Sequence, residues 1–219
     1  MSNNVLLVHG AWHGAWCWDA VLALLPDAKA IDLPSVWAAG DFDADVAAVR
    51  AALDDMEPGT VLCGHSYGGA VISEAGTHPN VGHLVFLTAF ALDTGETTIA
   101  HGAPAAPDTN LNAALRIDGA EVSVDPDGAR DAFYGDCADP PVDRLRPMSM
   151  AAFGTGITEP AWKTVPSTYV VCTEDRAIQP DTQRFFATRC TFRVEIDASH
   201  SPMLSMPDRV AEILRAATA

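Results

Sequence analysis

Basic residues are scarce in this chain. Lys and Arg number 13 against 29 Asp and Glu, a formal charge of −16. That balance argues against a nucleic-acid backbone or an anionic membrane surface as partner, since both attract cations. Long apolar runs are missing too. The longest, around Leu84 to Leu92, is far below the roughly 18–20 residues that a membrane helix needs. No basic n-region, long h-region or small-residue cleavage site is visible near Val5, so a cytoplasmic protein is expected. The five cysteines (Cys17, Cys63, Cys137, Cys172 and Cys190) are odd in number and form no CxxC pair, which fits reduced thiols. Cys63 and Cys172 sit in apolar runs and are expected in the core. No HExxH and no paired Cys/His spacing occurs, so no metal is expected. The Gly-rich phosphate loops G-x-G-x-x-G and GxxxxGK[ST] are absent as well, and no cofactor is implied.

What is present is globular. The chain has 219 residues, 48% hydrophobic and 19% charged. That length favours one domain, with or without an insertion. Short apolar runs alternate with helical spacings. Strands are expected at Val5–Val8, Ala28–Leu33, Thr60–Cys63, His83–Leu87, Thr168–Cys172 and Thr191–Ile196. Helices are expected at Ala15–Leu25, Asp43–Met56, Tyr67–Thr77, Asp181–Thr188 and Asp208–Ala217. This alternation predicts an α/β fold with a doubly wound, mostly parallel six-stranded sheet. It breaks between about Asp93 and Val165, a stretch too long for an ordinary loop. Residues 93–165 are therefore expected to be a helical lid, inserted into a core made of residues 1–92 and 166–219.

The chemistry centres on Gly64-His65-Ser66-Tyr67-Gly68-Gly69, at a strand-to-helix junction. G-x-S-x-G in that context is a nucleophile elbow, which projects Ser66 Oγ from the top of the sheet. The Tyr67 N–H at the helix start would aim at a developing oxyanion. A serine needs a base. His200, in the loop after the last strand, would approach from the same sheet edge. The orienting acid should follow the penultimate strand, where Glu174-Asp175 stands. Asp175 is preferred and Glu174 is the alternative. The order Ser66, Asp175, His200 is that of the α/β-hydrolases. The loop His9-Gly10-Ala11-Trp12-His13-Gly14 would supply the second oxyanion N–H, from Ala11. Gly10 would leave room beside the nucleophile, and Trp12 would pack the loop, with lining of the pocket as its alternative role. His9, His13 and His65 would hold these loops by hydrogen bonds. Within the lid, Phe133, Phe153 and Trp162 are candidates for an apolar substrate pocket, with packing of the lid onto the sheet as the plain alternative.

The blocks His9–Trp18 and Gly64–Gly69, with Asp175 and Ser199–Leu204, resemble the α/β-hydrolase superfamily. The match is greatest to the branch that holds plant hydroxynitrile lyases, salicylate-binding-type methylesterases and bacterial esterases. The resemblance implies a core lacking the two leading strands of larger members. Similar lyases carry threonine after the first histidine of the block and lysine after the catalytic histidine. This chain has Gly10 and Ser201 there. Ser201 has no charge to stabilise a departing cyanide, so hydrolysis of a small carboxylic ester with water is the expected reaction. A lactonase, thioesterase or C–C lyase using the same triad is the enzymatic alternative. A non-catalytic small-molecule-binding protein is the other. The sequence leaves a homodimer open.

Overall fold

The computed structural model describes residues 4–36, 40–103 and 110–218. The chain runs β1 (Val5–Val8), α1 (Asp19–Leu24), β2 (Lys29–Ile31), α2 (Phe42–Asp54), β3 (Thr60–His65), α3 (Tyr67–Ala75) and β4 (Val81–Leu87). An insert follows, with α4 (Asn110–Ala114), β5 (Leu115–Asp118), β6 (Glu121–Val124), α5 (Pro126–Phe133) and β7 (Met148–Ser149). The core resumes with β8 (Ser167–Cys172), α6 (Pro180–Ala187), β9 (Phe192–Ile196), α7 (Pro202–Ser205) and α8 (Pro207–Ala217).

The main sheet has six strands in the order β2-β1-β3-β4-β8-β9, all parallel. Successive side chains of a strand point to opposite faces, and each face here has its own core. Leu6, Val8, Leu62, Leu84, Phe86, Tyr169 and Val171 join one apolar cluster, with α2, α3 and the insert. Val5, Leu7, Val61, Cys63, Val85, Leu87, Val170 and Cys172 join the other, with α1 and α8. Burial on both faces explains why these strands read as unbroken apolar runs. The order reverses between β1 and β3. Loops leaving the carboxyl ends of those two strands therefore border one crevice, the usual place for a ligand in such a sheet.

Helix α2 shows how the sequence sets its ends. The Asp41 side chain caps it, accepting the Ala44 N–H at 2.9 Å. Val46, Val49 and Leu53 are buried on its inner face. The expected helix at Ala15–Leu25 is shorter: a 3-10 turn over Ala15–Trp18 leads into α1.

The insert differs from the expected helical lid. Its helices are short, and β5, β6 and β7 form a three-stranded sheet with antiparallel pairing. Leu115, Ile117, Val122 and Val124 alternate with polar residues, which suits strands and not helices. Gly119 turns the hairpin at a φ of 59°, a region that favours glycine. Among the described residues, no helix is long and apolar enough to cross a membrane.

Candidate active site

Ser66 sits between β3 and α3 with φ 51° and ψ −120°. A Cβ at Gly64 would lie 2.5 Å from the Gly68 carbonyl oxygen, so only glycine allows the strand and helix to meet so closely. Trp12 after β1 (φ 62°) and Thr88 after β4 (φ 41°) share this strained backbone region. Among the described residues these three are the only non-glycine positions at positive φ; Trp12 and Ser66 line one cavity, and Thr88 donates to Asp175. Such strain costs about 1–3 kcal/mol per residue and gathers where function holds a geometry.

His200 and Asp175 are both buried and joined, Nδ1 to Oδ2, at 2.7 Å. Asp175 Oδ1 accepts the Ala177 and Ile178 N–H groups at 2.7 and 2.9 Å. Its Oδ2 also accepts from the Gln183 amide at 3.0 Å and from the Thr88 hydroxyl. A carboxylate ringed by donors acts as an acceptor, so the proton of the histidine pair resides on Nδ1. In the neutral imidazole this tautomer presents its lone pair on Nε2. Glu174, the alternative acid, is exposed, and its N–H donates to the Ala198 carbonyl at 3.0 Å. Thr88 and Gln183 were not foreseen. Each is an ordinary polar residue of a loop or helix, and only folding brings it to Asp175.

The loop carrying His200 is fastened from two sides. His65 Nε2–H donates to the His200 carbonyl at 2.8 Å. From the insert, the Asp136 carboxylate accepts the Ser199 N–H at 3.0 Å, and the Gly135 N–H donates to Ser199 Oγ at 3.2 Å.

The other loop histidines are structural as well. His9 accepts the Leu33 N–H on Nε2 and donates from Nδ1 to the Gly10 carbonyl. His13 donates from Nδ1 to the Ala11 carbonyl, and the Tyr134 hydroxyl donates to its Nε2 at 2.8 Å. Burial pushes the pKa of His9 down, that of His13 to about 3 and that of His65 well below the usual histidine range. All three are therefore neutral near pH 7.

Ser66 opens into a cavity of about 280 Å³, whose lining includes Ala11, Trp12, Tyr67, Val122 and Phe153. Among the described residues, no Asp, Glu, Lys or Arg lines it. Tyr67 opens α3, so its N–H has no partner one helical turn back. Three expected pocket residues lie elsewhere. Gly10 packs against the elbow itself: a Cβ there would lie 2.9 Å from both Ser66 Cβ and His65 Nδ1. It serves close approach and leaves no open room. Phe133 is buried between Trp12 and His200, with ring centroids 5.9 and 5.5 Å away. Trp162 donates from Nε1 to the Leu92 carbonyl at 2.7 Å and lies against Arg189. Trp12 and Phe153 do line the cavity. The hairpin residues Leu115, Ile117 and Val122 line it too, and the expectation of a helical lid concealed them. Among the described residues, no group of three or more His, Cys, Asp or Glu side chains gathers to hold a metal ion.

A parallel sheet with a strained serine elbow at its switch point, and a buried His-Asp pair beside it, defines an α/β-hydrolase. The chain belongs to the Alpha/beta hydrolase family, whose model matches residues 5–213. It is 28% identical to an alpha/beta hydrolase of Aspergillus novofumigatus, over 98% of this chain and 96% of that protein. It is 29% identical to a pyrethroid hydrolase of Sphingobium wenxiniae, over 97% of this chain and 86% of that protein. The crystal structure of a pyrethroid hydrolase from Sphingobium faniae superposes with a TM-score of 0.85 at 28% identity, covering 98% of this chain and 96% of that one.

Proposed function

We propose that the chain is a serine carboxylic ester hydrolase acting on an uncharged ester. Ser66 Oγ attacks the ester carbonyl while His200 Nε2 takes its proton. Asp175 holds the imidazole in the required tautomer and stabilises the imidazolium that forms. The N–H groups of Ala11 and Tyr67 hold the tetrahedral oxyanion. On collapse, the alcohol leaves with the proton from His200, and the acyl group stays on Ser66. His200 then deprotonates a water, which releases the acid and restores the serine. Residues 93–165 act as the lid over the pocket.

The observation that carries this reading is the buried His200–Asp175 pair at 2.7 Å, its loop fastened to His65, the chain neighbour of a serine held at φ 51° that lines a cavity with no ionic side chain among the described residues. The relatives support the ester bond as target, because two of them are pyrethroid hydrolases. Replacing Ser66 with Ala tests it. The substitution is expected to remove turnover of 4-nitrophenyl acetate while the melting temperature stays near that of the parent. Retained turnover in Ser66→Ala would refute the assignment.

A further inference from the structure

The rim of the Ser66 cavity is apolar where the rest of the surface is not. Four large hydrophobic side chains are exposed among the described residues: Ile99 (74%), Ile117 (66%), Met150 (38%) and Phe192 (58%). The first three all line the cavity. Phe192 lies apart on β9, stacked on His83 at 6.3 Å. Scattered exposed hydrophobics need no explanation, but a group rimmed around one opening marks a contact surface.

The rim is also held in place. Ile117 pairs with Val122 across the β5–β6 hairpin, and Val122 is buried in the cavity wall. The Trp12 indole N–H donates to the Val122 carbonyl at 2.9 Å, tying the hairpin to the loop that carries Ala11. Across the mouth, the Thr98 hydroxyl donates to the Phe153 carbonyl at 3.2 Å, beside Ile99. The cavity itself is small. Its 280 Å³ falls just under the roughly 300–1,000 Å³ of ordinary ligand pockets. Ile99, Ile117 and Met150 both line this cavity and face solvent, so apolar surface runs from its wall out past its opening.

We propose that the substrate is an uncharged ester with an apolar arm longer than the cavity, and that Ile99, Ile117 and Met150 select it by covering the part that protrudes. This rests on the esterase reading and specifies the shape of its uncharged ester. A charged arm has no partner among the described residues of the wall and rim, none of which carries an ionic side chain. Each methylene fully buried is worth about 0.8 kcal/mol, or about fourfold in affinity. A half-covered arm gains less per carbon, and the gain appears in KM, because the rim stands away from the reacting carbonyl.

The test uses the full chain with two series below their critical micelle concentrations: 4-nitrophenyl acetate, butyrate, hexanoate and octanoate, and ethyl to octyl acetates. In at least one series kcat/KM should rise by an order of magnitude or more with length, mainly through KM. Ile117→Thr, which suits a strand, and Ile99→Ser should each lower kcat/KM for the longest ester of that series about five- to tenfold. The loss for 4-nitrophenyl acetate should be several-fold smaller than the loss for that longest ester. Three results would overturn the proposal: no length dependence in either series, equal losses for short and long esters, or a variant that changes only the oligomeric state in sedimentation. If acetate is turned over through Ser66 with no length dependence, this inference alone fails. If no ester is turned over and a fluorophosphonate leaves Ser66 unlabelled, the esterase reading fails with it.

Discussion

The Tyr67 hydroxyl donates to Asp45 Oδ2 at 2.7 Å, and both side chains are shut away from water. The same carboxylate accepts the Ser35 hydroxyl at 2.6 Å and the Ser35 N–H at 2.9 Å. Ser35 in turn accepts the Ser149 N–H of β7 through its carbonyl, also at 2.9 Å. Burial raises the pKa of Asp45, opposed by these hydrogen bonds. The residue proposed to give one oxyanion N–H is thus anchored at its far end, by a carboxylate that is itself tied to the insert.

Removing that anchor should cost both stability and rate. Tyr67→Phe deletes one hydrogen bond to a buried charged group, worth about 1.5–3 kcal/mol. Urea unfolding should show a loss of that size. Steady-state kinetics should show kcat falling several-fold with KM within twofold, because the hydroxyl faces Asp45 and not the cavity. An unchanged kcat would detach the anchor from the oxyanion hole.

The two neighbouring acids should separate cleanly. Asp175→Asn places an amide against His200 Nδ1 and favours the wrong tautomer. By comparison with the serine-protease triad, kcat should drop by about 10⁴. Glu174→Gln changes an exposed side chain and should leave kcat within twofold. Equal effects of the two substitutions would mean that the acid is misassigned.

Stability should fall on mild acidification. In the unfolded chain a histidine takes up a proton as the pH drops through about 6.5. Folded His9, His13 and His65 resist protonation, His13 down to about pH 3. Unfolding therefore binds protons in this window, and stability is lost as pH falls from about 6.5 toward 3. The slope approaches about 1.4 kcal/mol per pH unit for each such histidine. Urea unfolding at pH 7.5, 6.5 and 5.5 measures it. A flat profile would contradict the neutral buried imidazoles.

Much of this molecule is legible in its sequence. Each core strand alternates its apolar residues between two faces, so Val5–Val8 and Ser167–Cys172 could only be buried twice over. The elbow is legible because the approach of Gly64 to Gly68 excludes any other residue. The hairpin at 115–124 was concealed because its alternation is only four residues per strand, inside a Pro- and Ala-rich stretch. Thr88, Gln183 and Asp45 stayed hidden for another reason. Their roles come from partners 87, 8 and 22 positions away, and no local pattern marks such a pairing. Phe133 and Trp162 show the converse limit: an aromatic in a lid reads alike whether it faces substrate or packs.

The central claim is that Ser66 carries the acyl group. Rapid acid quench of the full chain during turnover of a 4-nitrophenyl ester, followed by peptide mass spectrometry, tests it directly. The account predicts one acyl group on the peptide containing Ser66, formed with a burst of 4-nitrophenol and absent from Ser66→Ala. Turnover with no acyl group on Ser66, persisting in Ser66→Ala, would contradict it.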